Sequence, residues 1–471
     1  MEKGLKKQYG LVTAICMVVG IVIGSGVFFK AEEMLLITRG DLPVALISWL
    51  IGGLAMIVSA YTFSVMGTRY EKVNGIVDYA EALVGKKYAY FIGWFMATTY
   101  YPAMTSALAW VSGRYTMALF GYDANSSQTM TVAFFYLIVS FAINTISPKI
   151  AGKIQVSTTA VKLVPLLIMA VVGTVAGLKN GVLINNMGST LNEAGELVRS
   201  SGINIKLILP GVCTSVFAYE GWIIATTINS EVKDSKKNLP RALIFGSIIV
   251  VAVYMLYYIG ISGSIGTDRL LSEGGGALLA FRSLFGNVMG TLLTVFITVS
   301  CLGTLNGLTL ACDRGFYSIA ARNQGPRPEY LSTLDSASLM PSNASILALV
   351  VNGAWLVYFF FSALTDIPSS VGTVGKIMLF DSTELPLIAV YPFYIPIYIM
   401  FIARSKNLSL LKRIIMPFLS LGGAVLLIYA AITKHGLTNI GFLIVESIIL
   451  ITGAVFYKKD RKEPAAENDN G

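Results

Sequence analysis

The sequence predicts an all-α integral membrane protein with twelve transmembrane helices, and three observations carry that reading. Of 471 residues, 55% are hydrophobic and only 13% charged, with a mean hydropathy of +0.70, against about 25% charged in an ordinary soluble domain. About twelve apolar runs approach the roughly 20 residues that a helix needs to cross a bilayer. The basic residues behind the net charge of +9 sit between those runs, where they report membrane orientation instead of a phosphate-binding face. A secreted disulfide scaffold, a disordered chain and a nucleic-acid binder are thereby excluded.

In order, the runs cover residues 9–29, 42–66, 88–120, 130–146, 154–178, 203–230, 242–263, 288–321, 344–364, 377–403, 414–432 and 440–456. The first lacks a small-residue cleavage site and continues past the length of a signal-peptide core, so it is retained. A polar stretch, 179–201, separates the fifth and sixth runs, and a charged tail, 458–471, follows the last. One polytopic domain therefore fills 1–457, with a first repeat over about 8–178, a second over about 203–403 and two further helices over about 407–457. With the N-terminus inside, about 24 of the 35 basic residues fall in cytoplasmic loops, including the clusters Lys3/Lys6/Lys7, Lys86/Lys87, Lys236/Lys237, Lys412/Arg413 and Lys458/Lys459. Both termini are expected in the cytoplasm and the protein in the plasma membrane.

The four cysteines, Cys16, Cys213, Cys301 and Cys312, fall within or at the ends of apolar runs without metal-ligand spacing, and the chain has a single histidine, His435, in an external turn. The expectation is no cofactor, no metal and no disulfide. No nucleophile–base pair or phosphate loop is visible either, so a membrane-embedded enzyme is disfavoured.

Two runs are interrupted in the middle: the first by Gly24-Ser25-Gly26, the sixth by Ala218-Tyr219-Glu220-Gly221. Five spans separate the interruptions, so the two halves run in opposite senses. Close helix packing at small residues explains either one alone; the matched pair points to a transporter site at the interface of inverted repeats. Lipid cannot satisfy an unwound backbone, so such a turn lines a cavity or lies against protein. After the first break, the half-helix beginning at Ser25 and Gly26 presents free amides and a positive dipole end that favour a carboxylate. The half-helices ending near Val22 and Ile23, and near Phe217 and Ala218, leave carbonyls that accept from an ammonium. A free α-amino acid, bound by backbone, fits this arrangement. Gly26 leaves room for the carboxylate, because a Cβ there would crowd it.

The segment Ile23-Gly24-Ser25-Gly26-Val27-Phe28 resembles the first-helix GSGIF/GSGVF signature of amino acid–polyamine–organocation transporters. Phe217-Ala218-Tyr219-Glu220-Gly221-Trp222 with Asn238-Leu239-Pro240-Arg241 resembles the FAYxGW…NLPRA pattern of their L-type branch, and Cys301-Leu302-Gly303-Thr304-Leu305-Asn306-Gly307 its eighth helix. Within that branch the chain is most similar to bacterial alanine–serine–cysteine and serine/threonine exchangers. The resemblance implies a LeuT-type fold of five-plus-five inverted helices plus two, working by alternating access on small neutral L-amino acids without sodium. It implies carboxylate contacts at Ser25 and Gly26, ammonium contacts at the carbonyls near Val22, Phe217, Ala218 and Glu220, and an aromatic gate at Phe217. The partners it implies are the amino acid and the bilayer, and no accessory subunit is indicated.

Four charges remain at membrane depth. Lys162 lies eight residues into an apolar span, too deep to snorkel easily. In sodium-coupled relatives of this fold a cation bridges the first, fifth and eighth helices, and the Lys162-Leu163 context resembles sodium-independent members in which an ammonium replaces it. Exchange with a charged Lys162 and proton symport through a titrating one both follow. Glu220 stands where many animal relatives have glycine; it either ties down the unwound turn, the favoured role, or tilts selectivity toward cations. Asp381 and Glu384, at i and i+3 on one helix face, are proton carriers or, the preferred reading, line a vestibule at a span boundary. Tyr254, with Tyr257 and Tyr258, is placed to reach Lys162 or substrate, and Asp313 and Arg314 to join an inner gate. The alternative function is a proton-coupled permease or a cationic amino acid/polyamine antiporter.

Overall fold

The computed structural model describes residues 10–24, 26–70, 75–123, 126–146, 148–192, 194–200, 202–224, 226, 232–272, 276–336, 338, 340–364 and 372–458. Ser25, the N-terminal lysines and most of the charged tail lie outside the described residues.

Among the described residues, ten helices are long and apolar enough to cross a membrane, and eleven when the bent pair Leu11–Val22 and Gly26–Ile37 counts as one. The difference from the expected twelve lies at the third span. A helix does run through 86–119, with a π-turn at Met96–Tyr100, but it is not among the apolar ones. Thr98, Thr99, Tyr100, Tyr101, Thr105 and Ser106 dilute its hydropathy, and all of them are buried against protein. Pro102 has no amide to offer the carbonyl of Thr98, and the Trp355 indole donates to that oxygen instead at 2.7 Å.

Burial sorts the helices into interior and periphery. The helix window Ile205–Ile224 is 78% buried, that of Thr438–Phe456 only 22%, the last helix turning Leu443, Ile448, Ile451 and Val455 outward. Leu42–Gly67 packs on Ile205–Tyr219, Ser235–Ser264 and Met416–His435. The fifth span crosses the seventh through small residues: a Cβ on Gly173 would meet Gly260 O at 2.3 Å, and one on Gly177 would meet Gly263 Cα at 2.5 Å, the close backbone approach that membrane helices use in place of hydrophobic driving force. Two boundaries differ from the sequence reading. The polar stretch after the fifth span folds into the short helix Val182–Met187 and a hairpin pairing Ser189–Leu191 with Leu197–Arg199. The tenth expected span becomes an apolar helix only at Leu385, so Asp381 and Glu384 stand in the preceding turn and not on one helix face.

Candidate functional site

The two interruptions meet in the interior. The first helix ends at Val22; Ile23 leaves helical geometry with ψ 99° while its amide still reaches Val19 O at 2.7 Å, and the next helix starts at Gly26, bent by 44°. The sixth span breaks after Tyr219, where Glu220 is extended and Gly221 takes φ +101°, a conformation open to glycine. The breaks interlock. A Cβ on Gly26 would lie 2.9 Å from Ala218 Cα, and one on Gly221 would lie 3.2 Å from Ile21 Cγ2. The sequence argument reserved the space at Gly26 for a carboxylate; what occupies it is the backbone of the opposite break.

The last four carbonyls of a helix lack intrahelical donors, and three of those on the first half-helix are satisfied by identifiable groups. Val19 O accepts from the Ile23 amide. Gly20 O accepts from Lys162 Nζ at 2.8 Å, and Val22 O from the Tyr254 hydroxyl at 3.1 Å. Lys162 is 0% exposed and also donates to Thr304 Oγ1 at 2.7 Å, so one amino group joins the first, fifth and eighth spans. A cation at a helix C-terminus is favoured by the helix dipole. Across the break, the amides of the first turn from Gly26 have no acceptor within their own helix.

Val22, Ile23, Gly26, Phe217, Ala218 and Glu220 are all buried there, and Ser25 lies outside the described residues. Lys30 Nζ stands 5.5 Å from the centroid of the Phe217 ring, within the range of a cation–π attraction. Glu220 is buried at the break with the Tyr100 hydroxyl and the Gly221 amide, one hydroxyl and one backbone donor, as polar neighbours. Asp313 is also buried, with Ser345 and Arg314 as polar neighbours, because its helix continues to Ala320, about two turns further. The ion pairs near that end are instead Arg322 with Asp78, and with Glu81 at 3.5 Å; they tie the eighth span to the short helix Ile76–Leu83.

Sequence reasoning missed a second cluster, about one turn past the first break and nearly two turns before the second. Glu384 is 0% exposed. Its Oε1 accepts from Lys30 at 2.7 Å and Lys434 at 2.8 Å, and its Oε2 from Lys434 at 2.8 Å and Cys213 at 3.3 Å, with His435 Nε2 at 2.9 Å. Glu33 pairs with both lysines. The vestibule expected at Glu384 and the partnerless turn expected at His435 are therefore both corrected. A hint lay in Lys30 and Glu33 at i and i+3 beyond the first break, but their partners are more than 350 residues away.

The family model described as amino acid permease matches residues 9–456. The chain is 30% identical over 408 residues to the serine/threonine exchanger SteT of Bacillus subtilis (strain 168), covering 86% of this chain and 85% of that protein. It is 25% identical over 385 residues to large neutral amino acids transporter small subunit 2 of Homo sapiens, covering 80% and 70% respectively. It is also 25% identical over 345 residues to the human cystine/glutamate transporter, covering 73% and 66%.

Proposed function

The chain belongs to the amino acid permease family, and from that premise we propose that it is a sodium-independent exchanger of small neutral L-amino acids such as alanine, serine, cysteine or threonine, working by alternating access. As a permease it is a multi-pass membrane protein and not an enzyme. The observation that carries the reading is the interlocked pair of helix breaks with Lys162 bonded to Gly20 and Thr304. In this reading the substrate carboxylate sits on the amides of Ser25 and Gly26, and its ammonium on the carbonyls near Val22, Ile23, Phe217, Ala218 and Glu220. Phe217 closes over it. Lys162 supplies the fixed positive charge that would otherwise come from a bound cation, which is the argument for sodium independence, and Tyr254 steadies the same helix end. The layout proposed is LeuT-type: 86–119 completes twelve spans, two inverted sets of five and two more, with both termini in the cytoplasm and the plasma membrane as location.

The second reading, a proton-coupled permease or a cationic antiporter, is favoured by one observation: an acidic side chain, Glu220, is buried at the break. Both are tested by reconstituting the protein in proteoliposomes and measuring radiolabelled serine uptake against twenty internal amino acids, with and without sodium and a pH gradient. The expected result is uptake only when a small neutral amino acid is inside, unchanged by removing sodium. Strong uptake into empty vesicles under a pH gradient overturns exchange, and lysine or arginine outperforming alanine inside shifts the assignment to the cationic reading and to Glu220.

A further inference from the structure

Outside the breaks, three potential metal ligands converge that lie far apart in the chain. Cys213 comes from the helix Ile205–Tyr219, Glu384 from the turn before the tenth span, and His435 from the end of Met416–His435. Their ligand atoms lie within 4.8 Å of one another. The triangle has edges of 3.3 Å from Cys213 Sγ to Glu384 Oε2, 3.7 Å from Cys213 Sγ to His435 Nε2, and 2.9 Å from His435 Nε2 to Glu384 Oε2. A tetrahedral zinc ion, with bonds of about 2.3 Å to sulfur and about 2.0–2.1 Å to nitrogen and oxygen, requires edges of about 3.5, 3.5 and 3.3 Å. Each observed edge is within about 0.5 Å of that face, calculated from the same bond lengths.

The geometry points to a divalent-metal site of the zinc class formed by Cys213, Glu384 and His435, which on occupation pins three membrane helices together. The donor set of thiolate, imidazole and carboxylate suits a borderline-soft ion and leaves the fourth position to water. The charges balance. Lys30 and Lys434 are positive and Glu33, Glu384 and Asp381 negative, one net negative charge; the ion enters with two positive charges and the Cys213 thiol loses one proton, leaving the cluster neutral. The lysines also have a use. Lys30 holds Oε1 of Glu384 and Lys434 bridges both of its oxygens, outer hydrogen bonds of the kind that align metal-binding carboxylates. Cys213 is one helical turn before Phe217, so a metal there immobilises the half-helix that leads to the second break. Arrest of transport rests on the exchanger reading; metal binding does not.

The test uses tag-free full-length protein in detergent, stripped with a chelator and dialysed, because the chain has no other histidine. Zinc chloride titrated against a chromophoric chelator is expected to show one ion per chain and a raised melting temperature. Cys213→Ser and His435→Gln are each expected to weaken binding at least about tenfold, as loss of even an outer-sphere partner commonly does. Cadmium should give a thiolate charge-transfer absorbance in the wild type that Cys213→Ser lacks. Equal zinc affinity in the wild type and both variants, or no binding by the wild type at micromolar zinc, overturns the site. In proteoliposomes, zinc should stop counter-flow and a chelator restore it; zinc bound at full occupancy with exchange continuing overturns the pinning. Protein that never exchanges, with or without zinc, fails the functional reading alone, and the titration still decides the site.

Discussion

Lys162→Ala slows amino acid counter-flow by at least about 100-fold in proteoliposomes, while equilibrium binding of serine weakens by much less. Hydrogen bonds to charged groups contribute about 1.5–3 kcal/mol each, and Lys162 makes two, to Gly20 O and Thr304 Oγ1. Alternating access requires the first half-helix to move relative to the fifth and eighth spans, so these bonds hold one state of the cycle more than the other. Removing them shifts the conformational equilibrium by about 3–6 kcal/mol, and each 1.4 kcal/mol is tenfold. The proposed substrate contacts, the amides of Ser25 and Gly26 and the carbonyls near Val22, Ile23, Phe217, Ala218 and Glu220, are groups that Lys162, bonded to Gly20 O and Thr304 Oγ1, does not touch, which is why turnover suffers before affinity. Measured side by side, a wild-type rate in Lys162→Ala returns the residue to helix packing. A loss of affinity as large as the loss of rate places it in the pocket instead.

How far the sequence carries depends on the range of the interaction. Hydropathy is local, so ten spans are legible within a few residues. The third is less apolar than the rest, because Thr98, Thr99, Thr105 and Ser106 are polar yet satisfied inside the protein, Thr98, Thr105 and Ser106 by carbonyls of their own helix and Thr99 by Glu446. The tenth is misjudged in extent: Ile377 to Phe380 are apolar, but Asp381 caps the backbone of Thr383 and Glu384 and delays the helix to Leu385. The breaks are visible because Gly24, Gly26 and Gly221 mark them in the chain itself. Lys162 is visible because one charge in an apolar run demands a partner, although the partner's identity comes only from the fold. The Glu384 cluster is invisible for the opposite reason. Lys30, Cys213, Glu384, Lys434 and His435 each sit near a break or a span end, where a polar residue raises no question, and only packing shows that they share one buried carboxylate.

Gly26→Val abolishes measurable substrate binding, with Gly26→Ala intermediate, and the reason differs from the one the sequence suggests. The Cβ of any other residue would stand 2.9 Å from Ala218 Cα and 3.4 Å from Phe217 Cδ1, whereas carbon atoms settle at about 3.5–4.0 Å. Ala218 Cα is backbone and cannot rotate away, so the breaks must separate by about 0.5–1 Å, a wedge that valine's two methyl groups enlarge. Misplacement of about 1 Å among groups that position a ligand costs on the order of 100-fold, and here both the carboxylate and the ammonium contacts move. Two measurements separate this from crowding of the carboxylate. Wedging strains the empty protein, so the melting temperature of substrate-free Gly26→Val falls, in line with about 1–3 kcal/mol for overpacking; crowding leaves it unchanged. Gly422 has nothing within 4 Å of its notional Cβ, so Gly422→Ala keeps full binding and controls for loss of helix glycine in general. Wild-type affinity and melting temperature in Gly26→Val would show that the two breaks do not meet at this residue, and the site drawn around them would fall with it.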